Sequence, residues 1–142
     1  MYKTGPVASL LLMQKCFPYM KANNYGRIIN CSSPSASEGA VVQGPYIMAK
    51  CAIEGLTRAA AKEWGQYGIT TNVFLPTLWT ENFDKSERGK AYAKMMAEQN
   101  PVRKFGKPYE DGSPVITFLA SEEAGYINGQ AICVDGGRCL IY

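Results

Sequence analysis

The chain has 142 residues, 46% of them hydrophobic and 19% charged, with 14 Gly and 8 Pro, which is length enough for one packed core and the composition of a loop-connected globular fold rather than a disordered segment. Fifteen basic against twelve acidic residues leave a net charge of +3 spread along the chain, so there is no basic stripe to read as a footprint for nucleic acid or an anionic membrane. The apolar run at 6–13 is too short to span a bilayer and passes into a helical pattern without a small-residue cleavage site, so neither a membrane anchor nor a secretory signal is expected.

In chain order, residues 5–23 read as a helix, with Leu11, Leu12, Lys15, Cys16, Tyr19 and Met20 at helical spacing and Asn23-Asn24-Tyr25-Gly26 stopping it. Residues 27–32 read as a buried strand, carrying Ile28, Ile29 and Cys31, and run into a Ser/Pro-rich loop at 32–39. A long alanine-rich helix is expected from Gly44 to Tyr67, ended by Gly68. The next strand covers 69–75 and closes at Pro76, because proline cannot donate to a sheet ladder.

Residues 81–100 are charged and mixed and read as a lid-like insertion of one or two short helices. A further helix is expected at 109–121, then a last strand at 130–134 leading into Asp135-Gly136-Gly137. Alternating helix and strand predict an α/β fold in which about three parallel strands are joined by crossovers with flanking helices, within one domain over 1–142. So small a parallel sheet leaves an edge of its first strand in need of a partner.

Cys16, Cys31, Cys51, Cys133 and Cys139 are odd in number, lack CxxC spacing and mostly sit in apolar runs, as reduced core residues do. With no histidine in the chain, no metal centre is expected, and a reducing cytoplasm is the simplest home.

Tyr46 and Lys50 lie four residues apart near the start of the second helix, so their side chains share a face one turn apart. Ser33 falls at the C-terminal end of the first strand, where open α/β sheets place their ligands. A cationic lysine near a phenol favours the phenolate, and a neighbouring hydroxyl can hold a carbonyl or alkoxide oxygen. The three residues therefore form a workable acid/base unit for carbonyl and alcohol interconversion. Taken singly each has a plainer explanation: Tyr and Lys at this spacing arise by chance on helices, and Ser-Ser-Pro-Ser is ordinary turn chemistry.

Several ordered motifs point further. RIINCSS at 27–33 supplies a strand end with paired serines, Tyr46 follows Ser33 by thirteen residues, and Lys50 follows Tyr46 by four. The stretch 49–76, with Gly55, Leu56, Thr57, Gly68 and Asn72, and the stretch 118–137, with Gly129 and Asp135-Gly136-Gly137, complete a pattern that resembles the C-terminal half of the short-chain dehydrogenase/reductase family. The resemblance implies an incomplete Rossmann-type doubly wound parallel sheet and NAD or NADP as cofactor. It implies Tyr46 as general acid/base, Lys50 as the residue that lowers its pKa and binds the nicotinamide ribose, and Ser33 as the residue that orients the substrate oxygen. Pro76, Thr77 and Thr80 would join Tyr46 and Lys50 in binding the cofactor, and hydride would pass between nicotinamide and the carbon of an alcohol or ketone.

This chain departs from that pattern in three places. The glycine-rich turn that cradles the pyrophosphate has no counterpart, so activity of this chain by itself is expected to be weak or nil. Tyr2 stands where a catalytic asparagine is often found. Pro76-Thr77-Leu78-Trp79-Thr80 replaces Pro-Gly followed by a threonine, which weakens the expected contact with the nicotinamide carboxamide. In that segment the chain resembles halohydrin dehalogenases, relatives that use no nicotinamide, although Lys50 stands where those carry arginine. Trp79, Phe83, Tyr92, Met95 and Met96 are expected either to wall an apolar substrate pocket or to pack a lid. The helices at 5–22 and 44–66 resemble the pair that builds the family's dimer interface, so a homo-oligomer is expected, and a non-catalytic association module or inert fragment is the alternative function.

Overall fold

A computed structural model describes residues 1–140, so the last two residues of the domain expected over 1–142 lie outside the described part. The elements follow the expected order. One π-type turn, Lys3–Val7, leads into α1 (Ala8–Ala22), then come β1 (Gly26–Cys31), α2 (Ser35–Glu38), α3 (Gly44–Trp64), β2 (Ile69–Pro76), α4 (Glu81–Asp84), α5 (Glu87–Gln99), a second π-type turn at Pro108–Gly112, α6 (Ser113–Ala120) and β3 (Ala131–Val134). Three strands form one parallel sheet in the order β1-β2-β3, with Gly26 opposite Ile69 and Val73 opposite Ala131. This is an incomplete Rossmann-like sheet, parallel and flanked by helices.

The central strand explains the core. β2 is hydrogen-bonded on both sides and buried along nearly its whole length, with Ile69 and Leu75 fully shielded, as a strand covered on both faces of a parallel sheet must be. Ile69 joins Ile28, Met13 of α1 and Ala60 of α3 in one apolar cluster, against which Phe17, Met20, Leu56, Trp64 and Tyr67 pack. Phe17 and Trp64 stack at 4.6 Å between ring centroids. Full burial of a side chain the size of Ile69 contributes about 1.5–3 kcal/mol.

Successive strand side chains point to opposite faces. Ile28 therefore faces α1 and α3, whereas Arg27 faces the other side, where its Nε donates to the Ser121 carbonyl at the end of α6, 3.0 Å away. Helices thus cover both faces of the sheet. Gly68 closes the α3–β2 connection with φ +69°, and a Cβ there would collide with the Asn24 carbonyl, so glycine alone suits that turn.

Two local expectations need correction, for the loop at 32–39 and for the cysteines. The loop at 32–39 contains a single helical turn, α2, nucleated where the Ser35 N–H donates to Ser33 Oγ at 3.3 Å. On α1 the buried stripe is Met13, Phe17 and Met20, spaced at i, i+4 and i+7, whereas Leu11, Leu12 and Tyr19 are exposed. Cys16, Cys31 and Cys51 are exposed as well, because the same rotation turns them outward from α1 and α3 and β1 ends at Cys31. An apolar neighbourhood in sequence did not place them in the core.

Candidate active site

Parallel strands deliver their C-terminal ends to one edge of the sheet, and the loops leaving that edge build the site. Ser33 leaves β1, Pro76 and Thr77 leave β2, and Tyr46 stands in the first turn of α3, behind Gly44-Pro45. Pro45 suits the first turn of a helix, where its missing N–H costs nothing. Ser33, Tyr46, Pro76 and Thr77 all line a cleft of about 370 Å³.

Lys50 sits one helical turn beyond Tyr46. Its Nζ donates to the Cys31 carbonyl oxygen at 2.9 Å and lies 5.6 Å from the Tyr46 ring centroid. The end of β1 therefore holds the ammonium beside the phenol. Thr80 stands apart: it caps the N-terminus of α4 and lines a neighbouring cleft with Trp79 and Tyr109.

The far wall of the Ser33–Tyr46 cleft is aromatic. Phe83 stacks on Tyr92 at 5.6 Å with an interplanar angle of 12°, and Phe105 meets Phe83 edge-on at 5.3 Å, geometries that aromatic pairs favour. Phe83 and Tyr92 thus reach the cleft, together with Phe105 and Leu78, which nothing in the sequence pattern singles out. Trp79 faces two other depressions, Met96 is buried, and Met95 is partly exposed outside the cleft. Phe105 lies in an irregular segment, so no periodicity marks it.

A buried polar layer supports the site from below. Ser32 Oγ donates to Glu54 Oε1 at 2.7 Å, and Asn30 Nδ2 donates to Thr57 Oγ1 at 2.9 Å, tying the end of β1 to α3. Buried polar groups need such partners. Asn72 and Asn128 do the same for the loop before β3: Asn72 Nδ2 donates to the Ile127 carbonyl at 2.8 Å and its Oδ1 accepts from the Gln130 N–H at 3.0 Å. Asn128 Oδ1 accepts from the Thr71 N–H and its Nδ2 donates to the Ala61 carbonyl, both at 2.9 Å.

A second cleft of about 380 Å³ adjoins the first across Thr77 and Leu78, which line both. Its rim includes Lys104 and Asp111. The Asp111 carboxyl is held below its ordinary pKa, chiefly by its hydrogen bond from Lys104 and next by the Lys107 backbone N–H. The floor includes Cys133 and Asp135 at the end of β3. There the ligand atoms of Cys133, Asp135 and Cys139 lie within 4.8 Å of one another. Spacing in sequence did not reveal this group, because the intervening residues bear no metal-binding signature.

Comparison with known proteins agrees with this architecture. A family pattern described as Enoyl-(Acyl carrier protein) reductase matches residues 6–138. The 12alpha-hydroxysteroid dehydrogenase of a Clostridium species is 36% identical over 137 residues, covering 94% of this chain and 52% of that protein. Levodione reductase of Leifsonia aquatica is 31% identical over 137 residues, covering 92% of this chain and 51% of that protein. A solved gluconate 5-dehydrogenase from Burkholderia cenocepacia, in complex with NADP and tartrate, superposes with a TM-score of 0.80 at 26% identity, over 91% of this chain and 51% of the other.

Three parallel strands flanked by helices on both faces place the fold in the Rossmann-like class, as an incomplete sheet. Within it, this chain belongs to the short-chain dehydrogenase/reductase family. It spans about half the length of the curated relatives it matches.

Proposed function

We propose that the protein is an NAD(P)-dependent oxidoreductase interconverting an alcohol and a ketone or aldehyde, with this chain supplying the C-terminal, catalytic half of the fold. The observation that carries the reading is the meeting of Ser33 and Tyr46 in one cleft, with Lys50 anchored beside the tyrosine. In the reducing direction Tyr46 donates its phenolic proton to the substrate oxygen, and in the oxidising direction it takes that proton back. Ser33 holds the same oxygen by its hydroxyl. Lys50 stabilises the phenolate left behind.

A nicotinamide bound in this cleft would supply or accept the hydride on the substrate carbon. The residues present suit its nicotinamide end. Lys50 commits one ammonium hydrogen to Cys31 and keeps two for ribose hydroxyls. The Thr77 N–H is already given to the Val134 carbonyl at 3.0 Å, so a carboxamide contact at this position falls to the Thr77 side chain, with Pro76 as the neighbouring wall. Thr80, in the next cleft, is the weaker member of the set. The aromatic wall of Phe83, Tyr92 and Phe105 favours an apolar substrate.

The test is titration of the purified chain with NADH and NADPH, followed by fluorescence and by ketone reduction, with Tyr46→Phe as control. Saturable binding with turnover that vanishes in Tyr46→Phe supports the oxidoreductase. Absence of binding favours a non-catalytic association module, a reading supported by Leu11, Leu12, Tyr19 and Met48, which leave α1 and α3 with exposed apolar side chains. We propose that this surface pairs with a second copy of the chain, as expected from the helices at 5–22 and 44–66.

A further inference from the structure

The end of β3 carries chemistry that proton transfer at Tyr46 does not use. Cys133 is the penultimate residue of the strand, Asp135 follows the strand's end, and the chain then folds back through Gly136 and Gly137, whose φ angles are +69° and +84°. At Gly136 a Cβ would collide with the Asn100 side chain, so the turn requires glycine. Its result is that Cys139 is returned, buried, to the side of Cys133 and Asp135. Asp135, only 5% exposed, accepts from the Gly137 N–H at 3.0 Å through Oδ1 and from the Cys139 N–H at 2.7 Å through Oδ2. Each oxygen keeps a lone pair for another partner, and such hydrogen bonds orient a metal-binding carboxylate.

A fourth group arrives from a different element. Glu38, the last residue of α2, pairs with Arg138 at 3.7 Å, which brings a further carboxylate to the turn that carries Cys139.

We propose that Cys133, Asp135 and Cys139, with Glu38 as the fourth ligand, form a binding site for a thiophilic divalent cation of the zinc class. Two thiolates with carboxylate oxygen suit a tetrahedral ion, for which metal–sulfur bonds of about 2.3 Å and metal–oxygen bonds of about 2.0–2.2 Å put ligand atoms roughly 3.5–3.8 Å apart. The observed cluster, within 4.8 Å, reaches that spacing with small side-chain rotations. As each Sγ–metal bond forms, the thiol gives its proton to solvent, so two protons leave per ion bound. The ion would staple the Gly136-Gly137 turn to β3 and α2. Arg138, which lines the Ser33–Tyr46 cleft, would then be released from Glu38.

The experiment uses the reduced, metal-free chain titrated with Cd²⁺ and then with Zn²⁺, followed by the ultraviolet charge-transfer absorption of thiolate bound to cadmium. The same samples are alkylated and mapped by peptide mass. A cadmium band that saturates at one ion per chain, is displaced by Zn²⁺, disappears in Cys133→Ala and weakens roughly tenfold in apparent affinity in Glu38→Gln supports the site. Zn²⁺ should protect Cys133 and Cys139 of the unmodified chain from alkylation while Cys16, Cys31 and Cys51 stay reactive, a readout that needs no variant to fold. The proposal is overturned if no band develops, if the band survives Cys133→Ala because the exposed cysteines carry the ion, or if the pair only closes to a disulfide on oxidation and gains no protection from Zn²⁺.

Discussion

Lys50 donates to the Cys31 carbonyl at 2.9 Å, which ties the residue beside the candidate acid/base Tyr46 to the last residue of β1. The register of β1 on β2, with Cys31 opposite Phe74, therefore sets where the ammonium sits. Lys50→Met should remove the positive charge and the ribose contact together. Turnover with either cofactor should fall by roughly 10²- to 10⁴-fold, the usual contribution of a positioned acid/base unit. Lys50→Arg should recover only part of that activity, since a planar guanidinium cannot reach both the carbonyl and the phenol as a flexible ammonium does. Steady-state kinetics checks this: kcat should fall while the far-ultraviolet circular dichroism stays that of the unmodified chain, whereas a merely misfolded variant should lose both.

Beneath the site, Asn72→Ala should destabilise the chain without touching the cleft. Asn72 is 1% exposed and satisfies the Ile127 carbonyl and the Gln130 N–H through one side chain. Its loss leaves both backbone groups without that partner, at a cost of about 1–3 kcal/mol. Urea unfolding should show a lower midpoint with an unchanged slope. An unchanged midpoint would mean that water replaces the amide at no cost.

Lys50 was legible in the sequence, whereas the partners of Asn72 were not. Strand and helix order followed from apolar runs and breakers, since Gly68 and Pro76 end elements for local steric reasons. Ser33, Tyr46 and Lys50 were visible because their spacing survives projection onto one dimension. Phe105, Arg138 and the Cys133–Asp135–Cys139 group were not, because each reaches its place through a loop or a left-handed turn. The buried face of α1 was not legible for a related reason. Leucine and tyrosine carry no mark of which side meets the sheet, and Met13, Phe17 and Met20 prevail only once Ile28 and Ile69 are in position.

The exposed face of α1 sharpens the expectation for association. Leu12 is 66% exposed on α1 and Tyr19 74%, so Leu12→Glu leaves the apolar cluster of Met13 and Ile69 intact. If α1 and α3 pair with a second copy, sedimentation should show a dimer for the unmodified chain and a monomer for Leu12→Glu, with the far-ultraviolet circular dichroism of the two alike. A surface change of this kind should alter monomer stability by no more than about 0.5 kcal/mol. A monomer in both cases would remove the proposed interface.

Acid should loosen the rim of the second cleft in a defined direction. The Lys104 hydrogen bond, then the Lys107 backbone N–H, lower the Asp111 pKa in the folded chain, while the unfolded chain keeps an ordinary carboxyl near about 3.9. A depressed folded pKa means that the stabilising contribution is complete above the unfolded value and disappears as pH falls through the folded one. Asp111→Asn should therefore have a lower Tm than the unmodified chain at neutral pH, and the two Tm values should converge as pH falls from the unfolded pKa through the lower folded one. The side chain is partly exposed and its partner Lys104 more so, so added salt should narrow the gap at neutral pH. Equal Tm values at neutral pH would show that the backbone N–H of Lys107 is satisfied as well by the asparagine amide, and that the Lys104 charge contributes nothing to the fold.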